Sequence, residues 1–226
     1  MQRRGFLACA GATAIAGPVL ADTSTVGLPV PPGNQIAFKV FRNGSEVGEH
    51  HMSFTQNGDE LDIATNFTFV VTIAGIAVYR YALLAVEKWS GGVFQAANST
   101  VNNNGDHIEV HAHKIASGYD VVGINHTTPA KSYPEYTAPP NTMPLTYWNA
   151  AMLDGTVLNL ATAHSYPPIV HSPGWNNLPD ASGGTILAQR FDVTGKLRLS
   201  VWYDQMKQWA GLQFSLKGDW NYEKIV

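Results

Sequence analysis

Period-two alternation dominates the chain. Leu61, Ile63, Thr65, Phe67, Phe69, Val71 and Ile73 share one parity, against Asp62, Ala64, Asn66, Thr68 and Thr72 on the other. Alternation sustained over that length predicts a long strand with one buried face. Leu197, Leu199, Val201 and Tyr203 repeat the pattern near the end of the chain, between strands expected at 185–193 and 209–225. Turn signals fall between the strands, at Asn43-Gly44, Asn57-Gly58, Ala74-Gly75, Gly91-Gly92, Asn104-Gly105, Ser117-Gly118 and Thr194-Gly195. Asn and Gly tolerate the positive φ of tight hairpins, so neighbouring strands should be antiparallel. Their spacing makes the strands long, and long twisted strands curl. The expected fold class is all-β: an antiparallel meander of long strands curled into a barrel or half-barrel, with long loops rich in Pro and aromatic residues.

Two stretches break the alternation. Residues 126–148 carry Pro129, Pro134, Pro139, Pro140 and Pro144 with Tyr133, Tyr136 and Tyr147; residues 164–184 carry Pro167, Pro168, Pro173 and Pro179. Irregular segments of this length in a compact domain are often covers or binding elements. A short helical turn or two is expected within 147–153. Residues 22–34, with Pro29, Pro31, Pro32 and Gly33, suit an extended leader.

The first residues change the picture of location. Arg3-Arg4 precedes Phe6 and Leu7, and a small, apolar run reaches Val19-Leu20-Ala21. That layout predicts a signal peptide over 1–21, cleaved after Ala21. The paired arginines match the twin-arginine (Tat) type, with an ordinary Sec signal as the alternative. The expected organisation is therefore signal peptide 1–21 and a single β-barrel-like domain over 22–226, located in the periplasm. No later apolar run approaches the roughly 20 residues that span a bilayer as a helix, so no transmembrane segment is expected after signal removal. Removing Arg3 and Arg4 from 14 basic residues leaves 12 against 17 acidic ones. Such a chain is poorly suited to nucleic acid, whose affinity comes largely from phosphate neutralisation. The one cysteine, Cys9, lies at the beginning of the apolar run rather than after it, which argues against lipid attachment and leaves the domain free of thiols.

Candidate chemistry is sparse. His107, Glu109, His111 and His113 would form one row on a strand, with Ile108, Val110 and Ala112 behind. Imidazoles two apart on a strand can share a divalent ion, but a solvated outer face is the commoner meaning of this pattern, and no metal site is assigned. His50-His51 cannot both face one ion; His50 shares parity with Met52 and Phe54 and is expected to point inward. Trp202 and Trp209 flank a turn at Asp204 and either pack together across the strands or join Trp148 and Tyr147 in lining a ligand cavity. Arg80, Glu87 and Arg190 would then supply polar contacts. The nucleophile elbow, P-loop, dinucleotide glycine fingerprint and His-Glu-x-x-His are all absent from the sequence, and no cofactor is expected.

Taken together, the twin-arginine leader, the run Phe41-Arg42-Asn43-Gly44-Ser45-Glu46-Val47-Gly48-Glu49-His50, and Val78-Tyr79-Arg80-Tyr81, Glu87-Lys88-Trp89, Thr146-Tyr147-Trp148-Asn149 and Val201-Trp202-Tyr203-Asp204 resemble a family of exported proteobacterial proteins defined only as a domain of unknown function. The resemblance implies a periplasmic barrel-like domain, akin in shape to curved-sheet proteins that hold lipids or lipoproteins, and it transfers no catalytic residue. Two functions fit these features. The first is a periplasmic binding or carrier protein whose partner is an apolar or amphipathic, lipid-like ligand. The alternative is a hydrolase or lyase acting on an envelope glycan or lipid, drawing on rim histidines and carboxylates, possible metal dependence included.

Overall fold

A computed structural model describes residues 27–128 and 133–225. The expected signal peptide and its cleavage point lie outside these residues. About two thirds of the described chain is strand and almost none of it helix, as the alternation predicts. Seven strands form the first meander: β1 (Gln35–Arg42), β2 (Ser45–Asn57), β3 (Glu60–Ile73), β4 (Ile76–Ser90), β5 (Val93–Asn103), β6 (Asp106–Ile115) and β7 (Gly118–Asn125). A short β8 (Glu135–Ala138) pairs with β7. After an insertion come β12 (Ile169–Pro179), β13 (Thr185–Thr194), β14 (Leu199–Asp204), β15 (Trp209–Ser215) and β16 (Asp219–Lys224). β16 pairs with β1, joining the two meanders into one antiparallel sheet of 13 strands in the order β12-β13-β14-β15-β16-β1-β2-β3-β4-β5-β6-β7-β8. The sheet curls but stays open, with β12 and β8 as its edges.

The turns explain the meander. At Asn43-Gly44, Ala74-Gly75, Gly91-Gly92 and Asn104-Gly105 both central residues have positive φ, the geometry whose twist matches that of the flanking strands. Gly48 shows how closely the sheet is drawn together. A Cβ there would lie 2.0 Å from the Thr68 carbonyl oxygen and 2.6 Å from Phe69 Cα.

On β3 the parity rule holds from Leu61 to Val71, but Ile73 lies at the hairpin tip and is exposed. The inner face gathers Phe38, Val40, Met52, Phe54, Leu61, Ile63, Trp89, Val110 and Leu212 into one core.

Among the described residues, the two proline-rich stretches contain regular structure. The first leads into an insertion that fills much of the curl. It comprises β9 (Thr142–Pro144), a 3-10 helix (Ala150–Asp154), β10 (Thr156–Leu158) and β11 (Ser165–Tyr166), with β9, β10 and β11 forming a small second sheet. Trp148, Met152, Leu158 and Leu160 bury themselves against the inner wall. Asn149 caps the 3-10 helix by accepting from the Ala151 amide at 3.0 Å. The second stretch contains the 11-residue edge strand β12 rather than a loop. Proline is compatible with that position because an edge strand leaves one set of amides unpaired, and Pro173 falls at the register shift between His171 and Gly174.

Candidate functional site

Between the insertion and the inner wall lies a cleft of about 290 Å³. One side is aromatic and comes from three strands: Phe67 and Phe69 from β3, Tyr79 and Tyr81 from β4, and Trp220 and Tyr222 from β16. The other side is the insertion, through Leu145, Thr146, Tyr147 and Leu160. The rings form a connected lattice, with Phe69 and Tyr81 stacked at 5.1 Å and Phe69 edge-on to Trp220 at 4.7 Å. Such offset and edge-on arrangements are the favoured ones for aromatic pairs. The cleft's lining contains no Lys, Arg, Asp or Glu.

Two polar side chains in this wall lack partners. His50 stacks on Phe67 at 5.2 Å and meets Trp209 edge-on at 5.1 Å, and neither ring nitrogen makes a hydrogen bond. Burial, with a smaller contribution from neighbouring His51, holds its pKa down at about 3, so the ring is neutral at physiological pH. Thr65, two residues from His50's partner Phe67 on the paired strand and on the same face, has a buried hydroxyl without a partner. Buried polar groups are nearly always paired, and two orphans bordering one apolar cleft make it a candidate site. Burial also pushes the phenols of Tyr81, Tyr147 and Tyr222 well above their ordinary pKa, keeping them neutral.

Deeper in, Glu87 tethers the insertion to the wall. Its Oε2 accepts from the indole nitrogens of Trp89 at 3.0 Å and Trp148 at 3.3 Å. Burial pushes its pKa up to about 7, against the opposing effect of hydrogen bonding from Thr146 and the two indoles. Oε1 makes no hydrogen bond of ordinary geometry.

The residues singled out from sequence scatter. Tyr147 lines the cleft, Trp209 lies behind His50, and Trp148 and Glu87 sit in the core beneath it. Trp202 and Trp209 do not pack as a pair: Trp209 belongs to the inner core, whereas Trp202 belongs to a small outer cluster with Leu178, Ala188 and Ala210. The register shift between Trp202 and Tyr203 accompanies that separation. Arg190 is on the outer face too, 5.3 Å over the Trp202 ring and paired with Asp192 at 2.7 Å. Arg80 is exposed and belongs to the outer parity of β4. Sequence reasoning missed His50 as a cleft residue, together with Thr65, Phe67, Phe69, Tyr79, Tyr81, Trp220 and Tyr222. The available signal was a hydroxyl at Thr65 on an otherwise apolar parity, and the recurrence of aromatics in step on neighbouring strands.

His107, Glu109, His111 and His113 lie on the outer face, with Ile108, Val110 and Ala112 buried behind them. Glu109 approaches His111 at 3.4 Å and His126 at 3.3 Å, and these hydrogen bonds hold its carboxyl below the usual range. Among the described residues, no group of three or more His, Cys, Asp or Glu is arranged to hold a metal. A wider depression of about 500 Å³ lies over the outer face, bordered by His51, Asn66, Leu84 and His111. Its histidines already have partners, His51 with Glu49 at 2.7 Å and His111 with Asn98 at 2.7 Å. The inner cleft is therefore the stronger candidate, since its polar groups are the unmet ones.

An open antiparallel curl around an insertion, with a neutral aromatic cleft between them, defines a β-barrel-like domain. The chain matches the family described as a domain of unknown function, DUF6134, over residues 38–224, and it belongs to that family. No curated protein matches it. Its fold is similar to the crystal structure of a beta-barrel-like protein of domain of unknown function DUF1849 from Brucella abortus. The TM-score is 0.56 at 8% identity, covering 84% of this chain and 94% of that one. Among the described residues, no helix is long and apolar enough to cross a membrane.

Proposed function

We infer that this protein is an exported binding or carrier protein that holds one small, uncharged, largely apolar ligand in the inner cleft. The observation that carries this reading is the pair of buried, unpartnered polar side chains, His50 and Thr65, in a cleft otherwise walled by aromatic and aliphatic groups. Leaving buried donors and acceptors unmet costs about 1–3 kcal/mol each, which a ligand carbonyl, ester or hydroxyl would recover. The absence of charged side chains from the lining disfavours a carboxylate or phosphate inside it, because an unpaired ion is expensive to bury. About 290 Å³ is at the small end of the roughly 300–1,000 Å³ of ligand pockets, so one short chain or ring system fits rather than a whole two-chain lipid. The leader with Arg3 and Arg4 supports export to the periplasm. Hydrolysis or elimination at rim histidines is less well supported, because His107, His111 and His113 are on the sheet face opposite the cleft.

Native mass spectrometry of the protein purified from its own host should find a retained neutral small molecule. The cleft should also take up N-phenylnaphthylamine saturably, with displacement by that molecule. His50→Phe keeps a ring of similar bulk and removes both nitrogens, so it should weaken the retained ligand roughly tenfold. A bare protein that takes up no probe would refute the reading.

A further inference from the structure

The cleft lies towards one end of the curl, and that end is unusual. Five hairpins turn there: β1–β2, β3–β4, β5–β6, β13–β14 and β15–β16. The β3–β4 hairpin runs past its neighbours, since β2 pairs with β3 only as far as Phe69 and β5 pairs with β4 only as far as Tyr81. Its projecting tip reads Ile73-Ala74-Gly75-Ile76-Ala77-Val78, with Ile73 62%, Ile76 69% and Val78 47% exposed. The comparable two-residue turns at the same end are Asn43-Gly44 and Asn104-Gly105, polar as solvated turns normally are. Here Ala74 takes the positive φ of 50° that Asn takes in the others. A strained alanine between two exposed isoleucines is poorly explained by the needs of the turn alone.

Leu216, in the β15–β16 turn, is 65% exposed and also lines the cleft, as does Tyr79 at the base of the β3–β4 tip. The apolar surface of this end is thus continuous with the cleft. Charge adds a second observation. Although the chain is acidic overall, Arg42, Arg80, Lys196, Arg198 and Lys217 belong to this end, against Glu46, Asp106, Asp192 and Asp219, which leaves it slightly basic. The β13–β14 turn belongs to the same end, since Gly44, Thr194, Arg198 and Asp219 border one depression.

We propose that this end docks on an anionic lipid bilayer, with Ile73, Ile76 and Leu216 entering the interface and the basic residues facing the headgroups. The inference rests on the ligand-binding reading in one respect: docking here would let an apolar ligand pass between bilayer and cleft without crossing water. A bilayer is favoured over a protein partner because the apolar part of this surface is a narrow projecting tip flanked by cations, not the broad complementary face of a stable interface, roughly 800 Å² per partner. A small apolar protrusion with flanking cations is enough for interfacial binding, whose strength scales with buried apolar area and with attraction to anionic lipid.

The test is flotation of the mature protein with vesicles of phosphatidylethanolamine and phosphatidylglycerol, compared with phosphatidylcholine alone. Wild type should float with the anionic vesicles and do so less at high salt. Combining Ile73→Asp with Ile76→Lys creates an opposite-charge pair across the turn and leaves net charge unchanged. It should weaken partitioning roughly tenfold or more while uptake of N-phenylnaphthylamine is retained. As a check independent of that variant's folding, Ile76→Cys can be labelled with an environment-sensitive dye in the mature protein, which lacks Cys9 and so has no other thiol. Its emission should rise with anionic vesicles, whereas a label on Asn57→Cys at the opposite end should not respond. Failure of wild type to float, equal flotation by the tip variant, or a response at both labels would overturn the proposal. Self-association abolished by the tip variant, without vesicle binding, would assign the tip to a second copy and overturn it as well. Loss of docking with probe uptake intact leaves the carrier reading standing; docking without any probe uptake removes the carrier reading and keeps the docking.

Discussion

Glu87 permits a quantitative test of how the insertion is held. Its carboxyl is fully buried between the wall and Trp148, with a pKa raised to about 7 from an ordinary 4.5. A carboxyl whose folded pKa is raised stabilises the fold relative to its ionised state at low pH. The advantage is complete below the unfolded pKa and is lost as pH rises through the folded one. The window therefore runs from about pH 4.5 to about pH 7, and a shift of that size corresponds to about 3 kcal/mol in total. His50 works in the opposite sense. Its folded pKa is depressed to about 3, so its contribution is present above its unfolded value near 6.5 and is lost as pH falls. The pH profile of the wild type alone mixes the two, and only a difference measurement separates them.

Glu87→Gln provides that difference. The amide oxygen can still accept from Trp89 and Trp148, while the amide nitrogen takes the place of Oε1 and never ionises. His50 titrates equally in both proteins and cancels. Relative to the wild type, the Gln protein should gain about 1 kcal/mol on going from acid to about pH 5 and about 3 kcal/mol by about pH 7, then stay level. Urea denaturation followed by tryptophan fluorescence at intervals across that range measures it, provided the slope with urea is the same for both proteins. A stability difference that is constant with pH would refute the reasoning, because it would mean that Glu87 titrates normally and is solvated in the folded protein.

Two further outcomes are expected. Gly48→Ala should destabilise the domain by about 2 kcal/mol or more, since its Cβ would collide with the Thr68 backbone at 2.0 Å, and thermal unfolding would show no loss if the strands there were loosely paired. Changing Arg3 and Arg4 together to Lys should leave uncleaved precursor in the cytoplasm if the twin-arginine route is used, as fractionation and the mass of the processed chain would reveal.

The meander was legible because each hairpin is encoded locally. Alternation assigns the face of β3 from Leu61 to Val71, and paired positive-φ residues mark the turns at Asn43-Gly44 and Asn104-Gly105. What local signals lack is the pairing of β16 with β1, which joins residues about 180 apart in sequence and depends on packing across the curl. Composition misled at β12, where Pro173 and Pro179 suggest a loop. Proline disfavours a central strand, but an edge with a bulge accommodates it, and edge status is a property of the whole sheet.

The cleft was harder to read for a related reason. Its wall comes from β2, β3, β4, β15 and β16, and its other side from the insertion, so no window of sequence contains it. Conspicuous residues attract attention by type, and type does not settle which face of the sheet they occupy. Trp202 and Trp209 are seven positions apart, yet one shift in register places them on opposite sides. His107, His111 and His113 form a vivid motif that the pleat directs outward, whereas His50, half of a pair with His51 that cannot share an ion, is turned inward among rings that cannot satisfy it. For a curled sheet, the informative sequence feature is a polar residue on the apolar parity. Thr65 between Ile63 and Phe67 is such a residue, and so is His50 before Met52 and Phe54. Because these two lie on hydrogen-bonded neighbours, β2 and β3, the same parity argument that assigns the core also brings them to one spot. An inward polar pair is costly to maintain unless something binds there, which ties the cleft's function to the pattern that builds the fold.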